Sequence, residues 1–328
     1  MDSRQNIVSR DSDQQEVLFL AVTGPTASGK SELAMQLAGR LACPLVCVDA
    51  MQVYRGLDVG AAKPTPDEQT RVTHYGLDLV WPWEPFNASR YAEEIEPVIQ
   101  QAAQAHSPLV LCGGTGLYYR ALLEGFFETP PPDPALRSHL QARAKTEGGG
   151  ALYAELAQRD AATAQSIHPN DQRRVIRALE IIHQTGEPVS RLRQQQRTKP
   201  WIKHTRFIGL QRDKDDLSSR IEKRTQWMYG NGLIEETQWL VQKGCHEEWT
   251  AMQALGYKEC WGYLTGAYTL DEAVQATIRH TIQFAKRQMT WFRNQFNTDW
   301  LFLGTNPNWC EIAEECLNLL QKRGYNDA

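Results

Sequence analysis

No C-x-x-C pair occurs among the seven cysteines of this chain, so neither a zinc site nor a dithiol redox centre is expected. Cys47 and Cys112 fall in apolar stretches, where a buried, reduced thiol is the default. No apolar run approaches the ~18 residues that a membrane span requires. The first residues, MDSRQNIVSRDSDQQE, are polar and carry Asp and Glu, unlike a signal peptide or a basic transit peptide. A disordered tail over residues 1–15 is expected, as is a cytoplasmic protein without disulfides. No internal repeat or long low-complexity tract is visible. Acid is missing from one long stretch altogether: none lies between Glu272 and Asp299.

What is present begins with Gly24-Pro25-Thr26-Ala27-Ser28-Gly29-Lys30-Ser31, which fits G-x-x-x-x-G-K-[ST]. The run Val17–Thr23 before it reads as a buried strand. Lys30–Ala42 after it reads as a helix, with Leu33, Leu37 and Leu41 on one face. Glycines let the backbone wrap an anion, and the loop N–H groups and helix N-terminus then point at phosphate oxygens. Lys30 would bridge phosphates, and the Ser31 hydroxyl would reach Mg²⁺, the expected cofactor.

A second apolar strand, Leu45–Val48, ends in Asp49. That places a carboxylate at the carboxyl edge of a parallel sheet, where ligands bind in open α/β folds. An Asp there can hold Mg²⁺, or simply cap the backbone that follows.

Asp49-x-x-Gln52-Val53-Tyr54-Arg55-Gly56 and Ala62-Lys63-Pro64, downstream of the phosphate loop, resemble the tRNA dimethylallyltransferases. The likeness continues through Gly113-Gly114-Thr115-Gly116-Leu117-Tyr118, the block Asn170–Glu180, Ala254–Glu259 and Phe284–Arg293. It departs at Ala50, where many members carry Ser, and at Thr73–Asp78, so no role is assigned to His74. Some eukaryotic members carry a C-terminal zinc finger, and nothing of that kind appears after Gln295.

The resemblance implies transfer of a dimethylallyl group from dimethylallyl diphosphate to N6 of adenosine 37, beside the tRNA anticodon. Such a transfer needs a stabilised leaving group, a base for the amine and an extruded nucleobase. The implied catalytic set is Asp49 as base with Lys30, Ser31, Arg220 and Thr115. Residues Gly24 to Ser31 and Arg224 would cradle the diphosphate, Arg220 matching the family's clamping arginine. Expected tRNA contacts are Asp49, Ala50, Met51, Gln52, Thr115, Arg137, Arg173, Arg174, Arg177, Lys258, Lys286, Arg287 and Arg293. Thr115 as a mere tight turn and Gln52 as an ordinary loop residue are the alternatives. Trp227, Trp239 and Trp291 fit core positions better than base-stacking ones. Diphosphate of the prenyl donor, not ATP, is expected in the loop.

The formal net charge of −4 argues against nucleic acid, but its distribution argues for it. From Arg173 to Arg206 the cations are Arg173, Arg174, Arg177, Arg191, Arg193, Arg197, Lys199, Lys203 and Arg206, against Glu180 and Glu187. A helix capped by Asn170 or Asp171 would bury Val175, Leu179 and Ile182 and show Arg173 and Arg177 on another face. A second helix, capped by Asp271, would bury Val274, Ile278, Thr281, Ala285, Met289 and Phe292. Its Arg279, Lys286 and Arg293 recur every seven residues, with a drift of only ~20° per heptad. Such a ridge suits an RNA backbone.

The expected fold is α/β: a P-loop NTPase-like parallel sheet flanked by helices, with an inserted all-helical domain. The core is expected over 16–128 and 205–305, including a strand Thr205–Leu210 and a helix from about Leu217. The tRNA-binding insertion is expected over 129–204, entered through Thr129–Pro134, with a C-terminal helix or tail over 306–328. A monomer is expected. A small-molecule P-loop kinase is the rival reading, though it leaves the basic ridge unexplained. A non-catalytic RNA-binding NTP switch would carry N-K-x-D, which is missing.

Overall fold

Phe19–Thr23 is apolar or β-branched at every position and forms β1, a strand with no exposed residue. The structure, a computed structural model, describes residues 19–127, 129–194 and 199–323. The expected disordered tail, the first residues of the anticipated first strand and Arg197 lie outside the described residues.

From β1 the chain turns through the phosphate loop into α1 (Lys30–Leu41), then β2 (Leu45–Cys47), α2 (Pro66–Arg71), β3 (His74–Tyr75), α3 (Ala88–Gln104), β4 (Leu109–Cys112) and α4 (Gly116–Leu123). Helices α5 (Pro134–Thr146), α6 (Gly149–Arg159), α7 (Ala161–Gln165), α8 (Gln172–Thr185) and α9 (Val189–Gln194) follow. The chain returns through a 3₁₀ turn, Pro200–His204, into β5 (Thr205–Arg212) and α10 (Lys214–Gly230). Then come α11 (Leu233–Gln242), α12 (Tyr257–Leu264), α13 (Leu270–Gln295), β6 (Thr298–Leu303) and α14 (Trp309–Arg323).

The strands form one sheet in the order β3-β2-β4-β1-β5-β6, every neighbouring pair parallel. The phosphate loop, Asp49, Gly113 and Arg212 therefore all stand at carboxyl ends of inner strands. At Gly113 a Cβ would lie 2.0 Å from the Val48 carbonyl oxygen, so only glycine lets the loops after β2 and β4 approach so closely.

Two strands escaped the sequence reading. β3 has only two residues, in the segment that departs from the family pattern. β6 is a half-exposed edge strand, with Phe302 68 % exposed, so its pattern is weak.

The chain divides into two compact units. One holds the described residues through Leu123 and those from Pro200 onward. The other is Glu124–Lys199, so the proline-rich stretch lies inside it, with Asp133 capping α5. The first unit packs Leu33 and Leu37 of α1 against Leu20, Val22, Leu45 and Val110. Helix α14 belongs to that same core through Ala313 and Cys316, and is not a separate tail. The second unit has its own core, with Val175, Leu179 and Ile182 of α8 meeting Leu140, Leu152 and Leu156.

Capping chemistry sets several boundaries. Asp171 caps α8, its side chain accepting the Arg174 N–H. Asp213 starts α10 before Leu217. For α13 the cap is Thr269, not Asp271: Thr269 and Glu272 form a reciprocal capping box, satisfying two N–H groups where Asp271 would satisfy one. All seven thiols are free, and only Cys310 is exposed. Among the described residues no helix is long and apolar enough to cross a membrane.

Candidate active site

Gly24, Ala27 and Gly29 of the phosphate loop all have positive φ, at 138°, 63° and 100°. This curls the backbone around one point, and Lys30 arches back to donate from Nζ to the Pro25 carbonyl at 2.7 Å. Burial pulls the Lys30 ammonium down to about 8; Cys112 and Asp49 oppose that shift and Arg224 adds to it.

Helix α10 brings both candidate clamp arginines to the loop. They are four residues apart and so share a face. Arg220 Nε donates to the Ala27 carbonyl at 3.0 Å, and Arg224 Nη1 to the Thr26 hydroxyl at 3.3 Å. Burial lowers the Arg224 guanidinium below its ordinary value, while Asp49 and Glu32 oppose the shift. From behind, buried Arg212 donates from Nε to the Ser28 carbonyl at 2.8 Å, held in turn by Asp216 and the Gly304 carbonyl.

Asp49 uses one oxygen to fix its own loop: Oδ1 accepts the Met51 N–H at 2.8 Å and the Gln52 N–H at 3.4 Å. Its Oδ2 has no bonded partner among the described residues. Capping and chemistry are thus both open to this carboxylate. Thr115 accepts the Ala50 N–H on its hydroxyl at 3.0 Å, while its own N–H turns back to the Val48 carbonyl.

Two cavities meet here. One, of about 480 Å³, is lined by Lys30, Ser31, Arg220 and Lys223, with Glu32 and Cys112 on its wall. The other, of about 570 Å³, is lined by Met51, Ile221, Met228, Leu255, Phe284 and Trp291. Thr26, Ala27, Asp49, Ala61, Gly114 and Arg224 line both. A cationic chamber and an apolar chamber therefore share a wall that carries a carboxylate. Among the described residues no three His, Cys, Asp or Glu side chains gather into a metal cage. A cation here would be held by Ser31, whose side chain faces the cationic chamber, together with phosphate oxygens and water. That is the usual habit of Mg²⁺.

The anticipated tRNA residues divide. Asp49, Ala50, Met51, Thr115 and Arg287 line the apolar chamber. Gln52 faces the other one, and its amide is committed inward, donating to the carbonyls of Ala61 and Ala62. Lys258, Arg279, Lys286 and Arg293 are exposed, Arg293 lying over Trp300 and bonded to Gln211. Arg173 and Arg174 are exposed, and their side chains have no partner among the described residues. Arg137 and Arg177 differ from expectation. Both are tied to buried Glu180, and Arg177 also donates to Thr129 and Pro130, because a buried carboxylate needs compensation. Trp227 is 54 % exposed, not core; Trp291 lines the apolar chamber, and Trp239 packs with Trp81 and Trp83.

Three contributors were missed in the sequence. Arg212 is one, because β5 runs two residues beyond the expected strand. Glu236 is another: its carboxylate accepts the N–H groups of Asp58, Val59 and Gly60 and the Tyr257 hydroxyl, fixing a loop that borders both chambers. The third is Gln288. Its signal was a polar residue in line with Ala285 and Phe292 on the buried stripe of α13.

A family model described as IPP transferase matches residues 52–295. A tRNA dimethylallyltransferase 2 of Geotalea uraniireducens is 41% identical over 288 residues, covering 88% of this chain and 93% of its own length. A tRNA dimethylallyltransferase of Natranaerobius thermophilus is 39% identical over 307 residues, covering 93% of this chain and 92% of its own. The solved tRNA isopentenylpyrophosphate transferase of Bacillus halodurans superposes with a TM-score of 0.68 at 36% identity, covering 94% of this chain and 98% of that one.

Proposed function

This chain belongs to the IPP transferase family, the tRNA dimethylallyltransferases, and from that premise we propose how its own residues carry out the transfer. The reaction moves a dimethylallyl group from dimethylallyl diphosphate to the exocyclic N6 amine of adenosine 37 in tRNA. The bond from the prenyl C1 to the diphosphate oxygen breaks, the bond from N6 to C1 forms, and N6 gives up one proton. One observation carries the assignment of parts: Asp49 stands on the wall common to the cationic and the apolar chamber.

The diphosphate belongs in the cationic chamber. Loop N–H groups, Lys30 and Arg220 face the charge that builds as C1–O breaks. Each such donor is worth roughly 3–4 kcal/mol by analogy with an oxyanion hole. Mg²⁺, held by Ser31 and the phosphate oxygens, supplies further charge neutralisation when bound. The adenine enters from the apolar chamber, between groups such as Met51, Phe284 and Trp291. Extruding it from its stack costs a few kcal/mol. Asp49 Oδ2 then takes the N6 proton, a contribution of about 10²–10⁴-fold. Cations outside the chambers, Arg173, Arg174, Lys286 and Arg293 among them, engage RNA phosphates. The protein acts as a monomer in the cytoplasm.

Family membership sets the kinase reading aside. Incubation with labelled dimethylallyl diphosphate plus tRNA, and separately with labelled ATP, tests the assignment. Label entering tRNA from the first mixture alone is the expected result. Phosphoryl transfer from ATP with no prenylation would overturn it.

A further inference from the structure

Gln288 is 6 % exposed and lies on α13, remote in sequence from both loops it touches. Its Oε1 accepts the backbone N–H of Thr26 at 2.8 Å. Its Nε2 donates to the backbone carbonyl of Gly114 at 3.0 Å. One planar amide thus spans the phosphate loop and the loop after β4. The fit is close: a Cβ on Gly114 would stand 2.1 Å from that Nε2.

Each end of the amide continues into one half of the site. Thr26 carries Arg224 on its hydroxyl, and neighbouring Ala27 carries Arg220 on its carbonyl. Gly114 precedes Thr115, which holds the Ala50 N–H beside Asp49. No other described side chain bonds both loops. A side-chain amide accepts from an N–H at one end and donates to a C=O at the other without depending on its protonation state.

We propose that Gln288 is a positioning residue that sets the distance between the leaving diphosphate and the Asp49 base. The inference rests on the proposed function, because it assigns the two loops to the two reacting partners. Gln288 itself touches neither reacting atom. A misplacement of about 1 Å between such partners costs up to ~10²-fold in rate.

The test compares wild type, Gln288→Leu and Gln288→Glu by single-turnover transfer at saturating dimethylallyl diphosphate and tRNA, from pH 5.5 to 8.5. A glutamic acid at this position reproduces the amide only when protonated. Its C=O then accepts from Thr26 and its O–H donates to Gly114; ionised, it faces the Gly114 carbonyl with no proton to give. Asp49, Arg224 and Arg287 line the same chamber, and Lys30, Glu32, Lys63, Glu68, His74, Arg220 and Lys223 line the adjoining one, so the midpoint depends on these charges, but the direction does not. Gln288→Leu should lose about 10–100-fold at every pH, with tRNA affinity near wild type. The ratio of Gln288→Glu to wild type should rise as pH falls, which a merely structural residue would not show. A flat ratio, or full activity of Gln288→Leu, overturns the inference. Absence of transfer by wild type would instead overturn the proposed function.

Discussion

Thr115 accepts the backbone N–H of Ala50 on its hydroxyl oxygen at 3.0 Å, so the loop after β4 holds the loop after β2 immediately beside Asp49. Thr115→Val keeps the shape and leaves that N–H without its acceptor, a loss of about 1–3 kcal/mol. The transfer rate should fall roughly tenfold or more, while Thr115→Ser retains most of it. Steady-state kinetics with both variants decides the matter. Equal rates for Val and Ser would reduce Thr115 to a turn residue.

Asp49→Asn is informative because an amide oxygen can still accept from Met51 and Gln52. The turn is kept and only basicity is removed. We expect kcat to fall about 10²-fold or more, with tRNA affinity little changed. Turnover near wild type would leave Asp49 as a cap alone.

The four inner strands of the sheet and the phosphate loop were legible because each rests on local chemistry. An apolar run precedes Gly24, a helical stripe of leucines follows Lys30, and Asp49 closes the next strand. The apolar chamber was not legible. Met51, Ile221, Leu255 and Trp291 come from four distant segments, and nothing in their spacing announces a shared wall. Gln288 and Glu236 escaped for a related reason, since their partners are backbone groups that any sequence could supply. Arg177 was legible only in part: its i,i+4 spacing with Arg173 is visible in sequence, whereas its pairing with Glu180 depends on how deeply that carboxylate is buried.

Lys30 gives the diphosphate chamber a pH signature. Burial holds its folded-state value near 8, below an ordinary value of 10.5. Between these values the unfolded chain binds more protons than the folded one, so this group's contribution to stability rises with pH through that window. A bound diphosphate favours the charged ammonium and reverses the shift. Near pH 8–9, diphosphate binding should therefore take up protons, and Lys30→Ala should bind more weakly with that uptake gone. Calorimetry in buffers of different ionisation heat measures both. Unchanged uptake in the variant would place the titrating group elsewhere.

Glu180 is fully buried and gathers Arg137, Arg177 and the Asp133 N–H. Burial alone would raise its carboxyl, but these hydrogen bonds outweigh burial and hold it below the ordinary value of 4.5. Its stabilisation is present above 4.5 and lost as pH falls through the lowered folded-state value. Glu180→Ala leaves two partly exposed arginines and the Asp133 N–H without their shared acceptor and should cost about 1–3 kcal/mol. Denaturant unfolding at neutral and acid pH tests this, and the gap between wild type and variant should narrow on acidification. A gap that stays constant down to pH 3 would remove the charge from the explanation.

The basic surface makes the last distinction. Arg173 and Lys286 are exposed, whereas Arg177 is bonded to Glu180, Thr129 and Pro130 within its own unit. Phosphate contacts release counterions, so each one removed should flatten the log–log salt slope of tRNA binding by roughly 0.7–0.9. Arg173→Gln with Lys286→Gln should therefore weaken tRNA binding and lower the slope by about twice that amount. The single-turnover rate at saturating tRNA should barely change, because neither residue reaches the chambers. Arg177→Gln should behave in the opposite way, lowering the melting temperature while leaving the slope intact. Dissociation constants across a salt series, with thermal melts of the same samples, separate the two classes. A slope that drops for Arg177→Gln and holds for the double variant would reverse the assignment and put the RNA path over the Glu180 cluster.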